Sequence, residues 1–383
     1  MRRLVGVGLA ATMVWSTVAC GADDAAGECP PVALAFLGAL SGPSVRSGEV
    51  KRHAAALAID EYNLENPDCP VGLISYDTQG NPGQAAALAD QVVADPQVIA
   101  VIGPVFSGET EAVMPIFDDA GLAIVTPSAT NARLSQQGWE TFHRFVSSDA
   151  AQGPALASWL TDENPSISVA VVDDGSLYGV GLADIIATEL EDRGASVAVR
   201  GDIDPEQVDF SDLIQRIERA GVDAIVFGGV ANSGAPFYLQ VREVGLDMLF
   251  AGADGMLIGT FLDVAAGDPE VLITCPCIGS AITPEQIAFA EEYRRVFGEP
   301  VSNYAVESYD ATRMLLGLIA DGVTTRTAML DALADIEYEG LAKTVRFTDT
   351  GEIETPEVYL FDAVEGEFVP RVVIRDGDLI EIG

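Results

Sequence analysis

From Val32 onward the chain alternates short apolar runs with amphipathic segments. Val32–Leu37, Val71–Tyr76, Val98–Ile102 and Leu122–Val125 are runs of the kind that forms buried strands. Between them lie segments of helical period. In Glu49–Asn63 the residues Val50, Ala54, Leu57, Ala58 and Tyr62 share one face, and in Gly83–Asp95 Ala85, Leu88, Ala89 and Val92 point inward. Glu109–Ala120 predicts a third helix. The pattern then restarts. Strands are predicted at Ser168–Val172, Val197–Gly201, Ala224–Phe227 and Met248–Ala251, with helices at Gly179–Arg193, Phe210–Ala220 and Ala235–Val244. Strands separated by helices indicate parallel sheets covered on both faces, so the pattern predicts two similar α/β lobes, each doubly wound.

Two helical stretches follow, Pro284–Phe297 and Tyr304–Asp321, then strand-like runs at Thr344–Phe347, Val358–Phe361 and Val372–Ile374. A tail of about 100 residues with this makeup packs poorly alone, and is expected to complete both lobes. Residues 31–148 with 279–353 would form the N-terminal lobe, and 149–278 with 354–383 the C-terminal lobe. Three hinge crossovers between two lobes make a clamshell.

Of the 383 residues, 49% are hydrophobic, enough for a substantial core. Lys plus Arg number 20 against 59 Asp plus Glu, a formal net charge of −39. Such a surface repels phosphate backbones and anionic headgroups, which excludes a nucleic-acid partner. The start of the chain reads differently. Arg2 and Arg3 precede the uncharged stretch Leu4–Ala19, too short for a comfortable membrane span and suited to an export signal. Thr17-Val18-Ala19-Cys20 resembles a bacterial lipobox, although Thr17 stands where that motif prefers Leu. The resemblance implies cleavage after residue 19 and acylation of Cys20. Residues 20–30 would then be a tether, holding a monomer on the outer face of the cytoplasmic membrane.

Four further cysteines suit an oxidising compartment. Cys29 and Cys69 each sit beside a proline just ahead of an apolar run, and a disulfide is reachable if those runs are neighbouring parallel strands. Cys275-Pro276-Cys277 fits either a small disulfide ring or two free thiols. No metal site is expected, because His53 and His143 are the only histidines and neither has ligand spacing to a cysteine.

Ligands of open parallel sheets bind beyond the carboxyl ends of the strands. The loops there are Gly38–Pro43, Gly103–Gly108 and Thr126–Thr130 in the first lobe, and Asp173–Gly179, Gly228–Asn232 and Gly252–Gly255 in the second. They are small, hydroxyl-rich and placed at helix starts, where free N–H groups favour a carboxylate. Asp254 could meet an ammonium group. Taken singly, Ser107, Ser128 and Thr130 also read as caps and turn residues, and Asp254 as a turn former.

Leu37–Pro43, Val101-Ile102-Gly103-Pro104, Thr126–Thr130, Tyr178-Gly179 and Phe210-Ser211 occur in an order and spacing that resembles one family. It is that of the Leu/Ile/Val-binding proteins of ABC importers, with the periplasmic-binding-protein type I fold. The resemblance runs from about Val32 to the C-terminus. It implies a receptor that binds a branched-chain or related amino acid between its lobes and delivers it to a permease and ATPase, without a cofactor. Ser107, Ser128, Ala129 and Thr130 would hold the ligand from the first lobe. Tyr178 would close over it, and Asp254 would pair with its ammonium. Ser47, Val230 and Tyr304 would line the side-chain pocket. Ser47 and Val230 stand where members that bind aliphatic amino acids often carry aromatics, so a wider or more polar pocket is implied, and relatives of this fold bind amides, urea or aromatic acids. A ligand-sensing role would share the same cleft chemistry. Catalysis is not expected. No phosphate-binding, dinucleotide-binding or nucleophile-elbow motif occurs, and the two histidines lie in different segments.

Overall fold

The computed structural model describes residues 29–265, 267–279, 282–364, 367–375 and 377–382. The export segment and Cys20 lie outside the described residues. The first lobe begins β1 (Val32–Gly38), α1 (Val45–Glu65), β2 (Val71–Asp77), α2 (Pro82–Ala94), β3 (Val98–Ile102), α3 (Ser107–Asp119), β4 (Ala123–Thr126) and β5 (Phe142–Arg144). These strands form one parallel sheet in the order β2-β1-β3-β4-β5. Every residue of β1, β3 and β4 is buried, which accounts for their unbroken apolar runs. Alternate side chains feed two cores. Phe36, Ile102 and Val125 pack with Ala58 and Tyr62 of α1, whereas Leu37, Val101 and Ile124 pack with Ala89 and Phe117 of α2 and α3.

The second lobe repeats the design with α4 (Asp149–Glu163), β6 (Ser168–Asp173), α5 (Leu177–Asp192), β7 (Ser196–Asp202), α6 (Ser211–Ala220), β8 (Ala224–Gly228), α7 (Ala231–Glu243), β9 (Leu249–Gly252), α8 (Gly259–Ala265) and β10 (Val271–Cys275). Its parallel part runs β7-β6-β8-β9-β10, the strand order of the first lobe over again. The chain then returns to the first lobe. There α9 (Pro284–Phe297), α10 (Ala305–Ala320) and α11 (Arg326–Ala334) are followed by β11 (Tyr338–Glu339) and β12 (Thr344–Val345). Finally β13 (Glu357–Val364), β14 (Glu367–Arg375) and β15 (Asp378–Glu381) extend the second sheet beyond β10.

The sequence predicts parallel sheets throughout, and here the structure differs. β13, β14 and β15 run antiparallel, because the links between them are too short for a crossover. The run at Thr344–Phe347 joins neither large sheet: β12 pairs only with β11, while Phe347 and Ile353 drop into the first-lobe core. The chain passes between the sheets three times, after β5, after β10 and before β13. Val32 lies opposite Val71 in the β1–β2 register, which sets Cys29 beside Cys69, and the two are joined with Cα atoms 5.4 Å apart. Cys275 and Cys277 are also joined, across Pro276, where the chain leaves the second lobe.

Candidate functional site

In both lobes the strand order reverses between the first and third strands, so the crevices at the carboxyl ends open beside β1 and β3 in one lobe and β6 and β8 in the other. The two crevices face each other. In the first lobe, Asp77 at the end of β2 accepts from the N–H groups of Leu40 (2.8 Å) and Ser41 (3.2 Å) and fixes the turn after β1. Helix α1 rests on that turn through Gly48, where a β-carbon would stand 1.8 Å from the Ala39 carbonyl oxygen. Arg144, wholly buried at the end of β5, donates to the carbonyls of Ala129 (3.0 Å) and Asn131 (2.9 Å) and pairs with Glu352. It holds the Thr126–Asn131 loop from beneath.

Second-lobe loops hang on Asp174, which accepts from the Val230 N–H (2.9 Å) and the Ser176 hydroxyl (2.6 Å). Ser176 caps α5 by accepting from the Gly179 N–H (2.9 Å). That cap sets Tyr178 on the first turn, facing the cleft. Its hydroxyl donates to Asp254 Oδ1 (2.7 Å) and accepts from the Gly255 N–H (3.3 Å). Burial pushes the Asp254 carboxyl above the usual carboxylate range, with the Tyr178 bond acting against it.

A cavity of about 660 Å³, counting space open to solvent, lies between the lobes. Seven of the sequence-predicted residues line it: Ser47, Ser107 and Ser128 from the first lobe, Tyr178, Val230 and Asp254 from the second, and Tyr304 at the start of α10. Ala129 and Thr130 do not. Ala129 is packed into the core of the first lobe, its N–H given to the Thr126 hydroxyl (3.0 Å), and Thr130 is buried beneath the loop beside Asp149. The Ser128 hydroxyl donates to the Val105 carbonyl (2.8 Å), and that of Ser107 accepts from the Asn131 N–H (3.2 Å). Tyr304 adopts φ 63°, unusual for a bulky residue, and its buried hydroxyl has no hydrogen-bond partner among the described residues.

Sequence reasoning missed Lys51, Arg46, Asn232 and Asn303, all of which line the cavity. Lys51 lies on the apolar stripe of α1, one turn before Ala54 and Ala55, and that was the available signal. Its ammonium donates to the carbonyl and hydroxyl of Ser47 (3.1 Å each) and sits 5.3 Å from the centre of the Tyr304 ring. Burial lowers it to about 7, against the attraction of Asp254 and Glu307. The loop asparagines carried no signal of their own. Asn232 donates to the Pro43 carbonyl (3.1 Å) and the Ser44 hydroxyl (3.3 Å), and Asn131 to the Leu177 carbonyl (2.8 Å). These bonds tie one lobe to the other across the mouth, so the clamshell is closed.

A two-lobed α/β fold with matched crevices is also what comparison with known proteins returns. Residues 31–367 match the periplasmic binding protein family. The chain belongs to this family. It is 25% identical over 334 residues to the leucine-, isoleucine-, valine-, threonine- and alanine-binding protein of Pseudomonas aeruginosa, covering 86% of this chain and 89% of that one. Against the leucine-specific-binding protein of Salmonella typhimurium it is 28% identical, covering 81% and 84%. A leucine binding protein from Thermotoga maritima superposes with a TM-score of 0.81 over 91% of this chain and all of that one, at 23% identity. The cavity lies where this two-lobed fold brings its facing crevices together. No histidine or cysteine is among the described residues that line it, and no grouping of side chains among the described residues could hold a metal ion.

Proposed function

We propose that this periplasmic binding protein takes an α-amino acid into its interlobe cleft and hands it, as a lipid-anchored monomer, to an ABC permease and its ATPase. The observation that carries the reading is the buried Asp254 carboxylate on the cleft wall, opposite the hydroxyls of Ser107 and Ser128 at the start of α3 and after β4. Asp254 offers an ammonium group a charge-assisted hydrogen bond worth about 1.5–3 kcal/mol. The helix start and hydroxyls on the facing lobe suit a carboxylate. A ligand touching both walls favours closure through its differential affinity for the closed form. The ligands named for the Pseudomonas and Salmonella relatives are amino acids, which supports the same class here.

The test is a thermal-shift screen of protein stripped of co-purified ligand by unfolding and refolding. The panel holds the twenty L-amino acids, urea, small amides and benzoate-type acids. Ligand at 100 times its Kd stabilises the folded state by about 2.7 kcal/mol, which is readily visible. Shifts confined to amino acids support the reading. Shifts from compounds without an amino group alone would overturn the role given to Asp254.

A further inference from the structure

The protein as a whole is strongly anionic, with 59 acidic against 20 basic side chains, yet the cleft lining reverses that balance. Arg46, Lys51 and Asp254 are its charged residues among those described, two cations against one anion. An amino acid with a neutral side chain brings one carboxylate and one ammonium and leaves a positive charge of the lining without a counterpart. Lys51 is the buried member, only 1% exposed, and its hydrogen bonds are to the uncharged oxygens of Ser47. No carboxylate of the described residues lies within 4 Å of it. A buried ammonium without a paired anion is costly, and a ligand carboxylate would supply the anion.

Position reinforces charge. Lys51 bonds to Ser47 and sits against the Tyr304 ring, the residues expected to face the ligand side chain, whereas Asp254, which would hold the amino group, is bonded to Tyr178. The small Ser47 and Val230 leave room for a polar group to reach it. Arg46 lies five residues earlier on the same helix, at the solvent-facing rim near Gly259 of the second lobe. Glu307 on α10 and Asp254 after β9 are the acidic groups that act on the ammonium from the elements packed around it, and Tyr304 covers it.

We infer that the ligand carries a second carboxylate on its side chain, read by Lys51 at the inner end of the pocket and by Arg46 at its rim. This rests on the amino-acid reading above and sharpens it from amino acids in general to acidic ones, the aspartate and glutamate class. Lys51 is thus a specificity residue. Burial that lowers its ammonium to about 7 leaves part of it neutral in the free protein, and an arriving carboxylate restores the charge.

The test is calorimetric titration of the exported protein, extracted in mild detergent and stripped of ligand, with L-glutamate, L-aspartate, L-glutamine and L-leucine. Wild type is expected to bind one of the acidic pair at least tenfold tighter than glutamine or leucine. Lys51→Met should lose roughly thirtyfold or more for that acidic ligand while leucine binding holds or improves, and Lys51→Arg should restore most of the loss. Thermal unfolding of each unliganded variant separates a folding defect from a binding one. Tighter binding of leucine or glutamine than of either acid would overturn the inference and leave the amino-acid reading standing. An equal loss for all ligands in Lys51→Met would reduce Lys51 to a structural role. Binding of no amino acid at all would remove the underlying reading, and this inference with it.

Discussion

Asp254→Asn separates charge from shape at the residue on which the amino-acid reading depends. The amide can still accept the Tyr178 hydroxyl at Oδ1, now 2.7 Å away, and the loop still receives the Asn303 amide at its carbonyl (2.9 Å), so the geometry survives. What disappears is the negative charge. A charge-assisted bond to the ligand ammonium is worth about 1.5–3 kcal/mol, and an ammonium closed in the cleft without its counter-charge adds a desolvation cost. Asp254 is 4% exposed, so little solvent screening softens either loss. The expected loss is about 2–4 kcal/mol, roughly thirtyfold to a thousandfold in Kd. Isothermal titration at pH 7.5, with the amino acid that gives the largest thermal shift, measures it. Unliganded, the variant should melt no lower than wild type, because burial already disfavours the ionised carboxyl. The wild-type pH profile adds a second check. Since the carboxyl is raised, protons compete with the ligand ammonium from a higher pH than at an ordinary aspartate, and affinity falls on acidification. The asparagine variant should lack that limb. A Kd change below tenfold would refute the assignment.

Asn232→Ala removes two bonds that span the mouth, about 1 kcal/mol of closure each at most, and should weaken binding severalfold while unliganded scattering profiles become more open. Unchanged profiles would mean the latch does not set the equilibrium. Glu109 is buried at the start of α3, and burial raises its carboxyl to about 7 from 4.5, opposed by the Thr78 hydroxyl. A raised carboxyl gives its full stabilising effect below its unfolded value and loses it as pH rises through 7. Glu109→Gln should therefore gain up to about 3 kcal/mol over wild type at pH 8 and nothing at pH 4, read from denaturant titrations at both pH values. Cys20→Ser should release the protein from the membrane fraction, and continued retention would point to an uncleaved anchor in place of a lipid.

Two-sided burial made most of the parallel strands legible in the sequence, although β10, buried at every residue, falls where no strand is predicted. β1, β3, β4, β6, β8 and β9 all fall at their predicted positions because their apolar runs cannot sit elsewhere. Helix α4 escaped notice: Gly153 and Pro154 interrupt its interior, and its apolar residues are spread around the axis so that no stripe stands out. β5 has three residues, too few for a period, and its place is fixed by pairing with β4. Helix α7 begins at Ala231, four residues before its predicted start, and holds Pro236 within its first two turns. Within the cleft, residues named from loop position reached the cavity when their side chains pointed outward, as Ser107 and Tyr178 do. Ala129 and Thr130 turned inward because Arg144 draws the carbonyls of Ala129 and Asn131 toward the lobe interior. Lys51 is buried by α10, more than 250 residues away in sequence, whose Ser308 hydroxyl donates to the Lys51 carbonyl. No local pattern carries that contact.

Neither lobe is a continuous length of chain, and this shapes how the molecule comes into being. The first sheet is complete at Arg144, yet one of its faces is only partly covered, by α1, until α10 and α11 arrive after residue 304. The second waits longer: β10 is an open edge until β13 pairs with it, and the last strand ends at Glu381. A growing or partly translocated chain therefore carries two half-built sheets with exposed apolar surface, and both are finished by the same closing stretch. Lobes assembled this way lock together late and lose their structure together, and a stop codon anywhere in the final thirty residues or so would strip a strand from a sheet whose other members were made long before.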